Sequence, residues 1–195
     1  WANLIPAWRQ ATGRCASYSR DRILKEILLK NNILKNVNDI LFNLKSNKNW
    51  DETKKLRKTA SFGTPYNYSN NIYNKIEIPP FLNHLKGIVR KLNGFEPNNC
   101  LINYYYENSS KMGFHSDQIN ILDRNTGISI FSFGSKRVLR FKNKINNILV
   151  YDIHLDNNSY FYMSQEVQKF WLHSILKDKS NMESERYSIT FRKMS

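Results

Sequence analysis

A chain of 195 residues with 41% hydrophobic and 13% aromatic side chains can bury one real core, which excludes wholesale disorder. No run of 18 apolar residues occurs, which excludes a membrane-spanning helix. The formal net charge of +14, from 30 Lys+Arg against 16 Asp+Glu, excludes an acidic solvating chain and points to an anionic partner.

That charge needs a discount before it needs an interpretation. Asn, Lys, Ile, Tyr and Phe dominate the composition, and all five have A/T-rich codons, so part of the lysine excess is compositional bias. Its distribution says more. Residues 1–50 carry +6, 51–100 carry +4, 101–150 carry +4, and 151–195 carry none. The excess therefore covers a surface and is not confined to a tail. Cys15 and Cys100 form neither a disulfide framework nor a metal-knuckle spacing, which fits a reducing, intracellular setting, cytoplasm or nucleus. The chain opens on Trp1 with no leader pattern, and is read as a piece of a longer protein or a processed product.

In chain order, residues 1–20 read as an N-terminal tether. Residues 21–44 place Ile23, Ile27, Leu34, Val37, Leu41 and Leu44 at steps of three, four or seven, predicting helix with a break near Asn31-Asn32. A second helix is predicted from Pro79-Pro80 to Asn93-Gly94, burying Phe81, Leu85, Ile88, Val89 and Leu92. After Asn99 the pattern turns to strands: Leu101–Tyr106, Ile128–Phe133, Val138–Lys142, Leu149–Leu155, Tyr160–Met163, Phe170–Ile175 and Tyr187–Arg192. Helices followed by seven short strands predict an α+β domain over 21–195. A helical part spans 21–100 and a β-sandwich or jelly-roll core spans 101–195, with the N-terminal helices packed on one face.

Two of the four histidines stand in a His-x-Asp pattern, His115-Asp117 and His154-Asp156. On a strand, positions two apart share a face, so an imidazole and a carboxylate can meet one metal ion. A third ligand completes a two-His-one-carboxylate triad that leaves positions open, the donor set of non-haem Fe(II) that activates O₂. At least one of the two pairs is taken as accidental. His154-Asp156 precedes a turn cluster and leaves 16 residues before His173, so it reads as a strand running into a hairpin. His115-Asp117 leaves 55, room for about four strands that bring a distal strand back beside the first. Downstream, Arg186, Ser188 and Arg192 alternate onto one strand face. Inward arginines require a fixed anion, and a dicarboxylate chelating the metal suits them.

Together, Asn103-Tyr104-Tyr105, His115-x-Asp117, Ile128–Gly134, Trp171-Leu172-His173-Ser174 and Arg186-x-Ser188-x-Thr190-Phe191-Arg192 resemble the AlkB family over roughly residues 33–193. Members of this family are Fe(II)- and 2-oxoglutarate-dependent dioxygenases that demethylate nucleic-acid bases. The resemblance implies a double-stranded β-helix fold, with Fe(II), 2-oxoglutarate and O₂ as cofactor and co-substrates. It implies iron ligands at His115, Asp117 and His173, and a distal-carboxylate partner at Arg186. Arg192 falls at the chelating end, and Asn103, Tyr105 and Ser188 fall along the co-substrate. It also implies a base-recognition segment holding Phe62, Tyr66 and Tyr68, beside which Arg137 is read as a phosphate contact. Lys54, Lys55, Arg57, Lys58, Lys136 and Arg140 are read the same way. The implied partner is a single-stranded or flipped methylated base, bound by a monomer without a membrane.

The sequence departs from the family in two places. Gln118-Ile119-Asn120 follow the motif where DNA-repair relatives carry acidic residues, and Ser188 stands where asparagine is frequent. The run Asp117–Arg124 is closer to the branch acting on N6-methyladenine in RNA. Two other readings stay open: a 2-oxoglutarate oxygenase acting on a protein or small molecule, and a non-catalytic basic nucleic-acid-binding module.

Overall fold

The structure, a computed structural model, describes residues 20–65, 75–178 and 185–195; the expected tether lies almost wholly outside them. In chain order the elements are α1 (Arg20–Lys25), β1 (Ile27–Asn31), α2 (Asn38–Lys45), β2 (Lys58–Gly63), a 3₁₀ turn (Pro80–Leu82) and α3 (Asn83–Asn93). Then follow β3 (Asn99–Tyr105), β4 (Met112–His115), β5 (Gly127–Gly134), β6 (Arg137–Asn143), β7 (Val150–Leu155) and β8 (Ser159–Ser164). The chain ends with α4 (Gln165–Phe170), β9 (Trp171–Ile175) and β10 (Arg186–Arg192).

The strands form two antiparallel sheets. The larger has the order β1-β8-β5-β10-β3-β2 and the smaller β4-β9-β6-β7. Apart from β2-β3 and β6-β7, neighbouring strands are non-consecutive in both sheets, the mark of a double-stranded β-helix. One apolar cluster fills the space between the sheets and includes Ile128, Leu139, Phe141, Phe161 and Trp171. A second lies on the outer face of the larger sheet, where Ile40 and Leu44 of α2 and Leu85 and Val89 of α3 meet Phe62, Ile102, Phe131 and Ile189. The fold is thus α+β, with a jelly-roll core and helices against one face.

The second predicted helix is present. Proline opens it in a 3₁₀ turn, and Gly94, at φ 74°, closes it by donating its N–H to the Arg90 carbonyl. The first is corrected. Residues 27–31 form strand β1, paired with β8 in a register that sets Leu28 opposite Tyr162. Here cross-strand pairing overrides helical periodicity. Asn32 turns the chain at φ 53°. The Asn158 side chain then clips Leu34, accepting from its N–H at 3.0 Å and donating to its carbonyl at 2.7 Å.

All seven predicted strands occur, and β1, β2 and β4 join them. Because β1 and β2 are the two edges of the larger sheet, the segment 21–100 belongs to the core and is more than a helical cap. His154 is the last residue but one of β7, but the turn after the strand carries the chain from the smaller sheet to the larger, so no hairpin forms there.

Candidate active site between the sheets

Strands β4 and β9 pair so that His115 and His173 are direct cross-strand partners. Four strands, β5 to β8, and helix α4 fill the interval between them, as the 55-residue gap requires. Asp117 lies just past the end of β4. Its Oδ1 is 3.7 Å from His115 Nε2 and 3.9 Å from His173 Nε2. One ligand atom from each of the three residues lies within 4.8 Å of the others, the one such cluster among the described residues. His154 is exposed, and Asp156 pairs with Lys136 at 2.9 Å.

The donor set is tuned toward a cation. His115 Nδ1 sits 2.9 Å from the Gly113 carbonyl. A carbonyl only accepts, so Nδ1 carries the proton and Nε2 presents its lone pair. His173 is 5% exposed; burial, with His115 beside it, pushes its pKa down to about 3, and the ring stays neutral. Burial alone would raise the Asp117 carboxyl, but the Arg192 guanidinium and the two histidines hold it below the usual carboxylate range. Arg192 donates to Asp117 Oδ2 from Nε at 2.9 Å and Nη2 at 2.6 Å. Two imidazoles and one carboxylate fit the facial triad of non-haem Fe(II).

Deeper in the same pocket lies Arg186, 0% exposed. Its Nε donates to Ser132 Oγ at 2.9 Å, while Nη1 and Nη2 are buried without a partner. The guanidinium stands 5.1 Å from the Tyr105 ring centroid. Burial lowers its pKa to about 10, which still leaves it charged at neutral pH. A buried cation with two open donors is costly unless an anion completes it, and a terminal carboxylate fits. Gly134 permits this packing: at φ 92° it lies opposite Arg186, and a Cβ there would stand 2.3 Å from the Glu185 carbonyl oxygen.

Asn103, Tyr105, Ser188 and Arg192 line this pocket with Arg186 and the triad. The hollow is narrow, about 40 Å³, so a bound dicarboxylate has to shift flexible lining side chains such as Met112 and Met163. A wider groove of about 590 Å³ beside α2 and α3 contains none of these residues.

Several expectations about substrate residues change. Phe62 is buried on the outer face of the larger sheet, in the cluster with Leu82 and Phe131, so it does not face the pocket. Arg137 is 2% exposed and donates to the carbonyls of Glu107, Ser110 and Leu176; it clamps a loop and meets no phosphate. Lys58 pairs with Glu52, Lys136 with Asp156, and Arg140 with Asp152 in a two-point contact. Tyr66 and Tyr68 lie outside the described residues.

Two residues passed unrecognised as site neighbours in the sequence. Arg57 donates from Nε to Asn103 Oδ1 at 2.9 Å; it precedes β2, a strand the periodicity did not reveal. Gln168, 2% exposed, accepts from the Asp117 backbone N–H at 2.9 Å. A glutamine in a six-residue helix carries no sequence signal of that kind.

Comparison with known proteins agrees with this geometry. The profile of the 2OG-Fe(II) oxygenase superfamily matches residues 22–192. The chain is 32% identical over 127 residues to an uncharacterised protein of Acanthamoeba polyphaga mimivirus, covering 65% of each. It is 31% identical over 96 residues to the RNA replication polyprotein of Citrus leaf blotch virus, covering 49% of this chain and 4% of the polyprotein. The chain thus spans less than two thirds of either viral relative. Its fold superposes on the solved structure of OsALKBH1 with a TM-score of 0.65 at 15% identity, over 86% of this chain and 98% of that one. The fold, the His-Asp-His cluster and the profile match converge: the chain belongs to the 2OG-Fe(II) oxygenase superfamily, whose chemistry uses Fe(II), 2-oxoglutarate and O₂, and its fold is like that of OsALKBH1.

Proposed function

We propose that the protein oxidatively removes N-methyl groups from nucleic-acid bases. The observation that carries the nucleic-acid reading is the placement of charge. The last 45 residues, which supply His173, Arg186 and Arg192, are neutral overall, whereas the first 150 carry the entire +14 excess. Arg186 and Arg192 are occupied with the pocket; the remaining excess is available to a polyanion. The AlkB-like fold and the viral RNA-replication relative favour the same substrate class.

In this reading His115 Nε2, Asp117 Oδ1 and His173 Nε2 hold Fe(II), and Arg192 neutralises the second carboxylate oxygen. Arg186 takes the distal carboxylate of 2-oxoglutarate through its open Nη pair, with Tyr105 behind it and Asn103 and Ser188 alongside. Tyr66 and Tyr68 remain the residues proposed to stack on the base. When bound, iron and 2-oxoglutarate supply O₂-driven hydroxylation of the N-methyl carbon, with release of succinate and CO₂ and loss of the methyl carbon as formaldehyde. The protein's part is to position the base and to keep the pocket dry.

Mass spectrometry of methylated single-stranded RNA and DNA oligonucleotides, incubated with Fe(II), 2-oxoglutarate and ascorbate, tests this. The expected product is about 14 Da lighter, as loss of CH₂ requires, and the affinity of the oligonucleotide falls as salt rises. Turnover of 2-oxoglutarate with no mass loss from any oligonucleotide transfers the activity to a protein or small-molecule substrate. Salt-dependent binding without 2-oxoglutarate turnover leaves a non-catalytic binding module.

A further inference from the structure

The backbone of Asp117 has no strand partner, because β4 ends at His115. Its N–H is instead accepted by Gln168 Oε1 at 2.9 Å, in a contact buried from solvent. Gln168 is held at three points. Its Nε2 lies 3.1 Å from Met163 Sδ, and its carbonyl accepts from Lys144 Nζ at 2.7 Å. The end of its helix is fixed where Lys144 N–H meets the Phe170 carbonyl at 2.9 Å. Helix α4 runs directly into β9. One short segment therefore supplies His173 and also the group that fixes the backbone of Asp117, a residue of a distant loop. Arg192 holds the other end of Asp117, at Oδ2. Between them these two contacts leave Oδ1 directed at the histidines.

From this we infer that Gln168 is a positioning residue for the metal centre. Its side-chain oxygen sets the orientation of Asp117, and through it the affinity and coordination geometry of the ion. The inference rests on the reading of His115, Asp117 and His173 as ligands. Outer-shell hydrogen bonds of this kind are worth about 10–100-fold in metal affinity.

The test is Co(II) binding to the whole chain with 2-oxoglutarate present, followed by visible absorption, whose intensity and position report ligand geometry. Gln168→Met fills the space without an acceptor, Gln168→Asn retracts the amide by one carbon, and Gln168→Glu keeps an acceptor oxygen. The first two are expected to bind Co(II) about 10–100-fold more weakly with an altered spectrum, and Gln168→Glu is expected to stay near wild type. Wild-type affinity and spectrum in either folded non-accepting variant overturns the inference. Equal weakening in all three, tracking a shared loss of thermal stability, also overturns it and leaves a packing role. The underlying reading fails separately: wild-type protein would then bind no Co(II), or bind it undiminished after His115→Ala.

Discussion

Arg186 is the residue whose surroundings are least satisfied. A cation buried with two unbonded nitrogens costs stability that only an anion returns. Replacing Arg186 by Met therefore has two opposed effects. The ligand-free protein is expected to melt at the same temperature as wild type or higher. Affinity for 2-oxoglutarate is expected to fall by about 2–5 kcal/mol. Scanning fluorimetry with and without 2-oxoglutarate checks both at once. Wild type shifts upward with ligand and the variant does not; a variant that melts much lower without ligand refutes the account. The arginine was legible in the sequence through alternation with Ser188 and Arg192. Its partner Ser132 and the neighbouring Gly134 were not, because cross-strand register is invisible until the strands are paired.

At the scale of elements, the contrast between Arg186 and Arg137 is instructive. Both arginines are almost fully buried, and both come from strand ends. Arg137 donates from its two Nη groups to three carbonyls, of Glu107, Ser110 and Leu176, tying the loop before β4 to the smaller sheet, and leaves its Nε alone unbonded. Arg137→Met is expected to destabilise the protein by about 2–4 kcal/mol. It should leave oligonucleotide affinity unchanged once corrected for the folded fraction. Chemical denaturation together with a binding titration separates these outcomes. The sequence assigned Arg137 to the substrate because basic residues clustered around it, and clustering carries no information about burial. The same limit hid β1. Its Ile27 satisfies helical spacing with Ile23, and only the pairing with β8 decides against a helix. Strands with strong β-branched and aromatic composition, such as Gly127–Gly134, needed no such partner to be recognised.

For the whole molecule, pH acts mainly through the buried site. His173 titrates at about 3 when folded against about 6.5 when unfolded. Between these values the unfolded chain holds a proton that the folded chain excludes. Stability is therefore full above about pH 6.5 and falls on acidification toward 3, by up to about 1.4 kcal/mol per unit. Asp117, depressed by Arg192 and the histidines, adds its own loss below the unfolded carboxylate value of about 3.9. Urea unfolding of the metal-free protein between pH 8 and 4.5 is expected to show this slope, and His173→Leu to flatten it. An identical slope in the variant places the titration elsewhere. How much of the site was legible follows the same division between local and distant information. The His115-x-Asp117 pair, the shared strand face of Arg186 and Arg192 and the strand count came from spacing along the chain, and the complete ligand set from the resemblance to the AlkB family. The Asp117–Gln168, Arg57–Asn103 and Arg186–Ser132 contacts depend on which strands and loops meet.

The position of β4 has a consequence for handling the protein. It is four residues long, stands at the rim of its sheet and, among the described residues, pairs on one side only, with β9. A sheet rim presents unpaired N–H and C=O groups to which another chain can pair, and shortness limits that exposure without removing it. An ion held by His115 and His173 would tie this strand to β9, acting as a seam as well as a reactive centre. Chelation is accordingly expected to speed hydrogen exchange in residues 112–115 and to raise light scattering on storage. Resupply of a divalent metal is expected to reverse both changes.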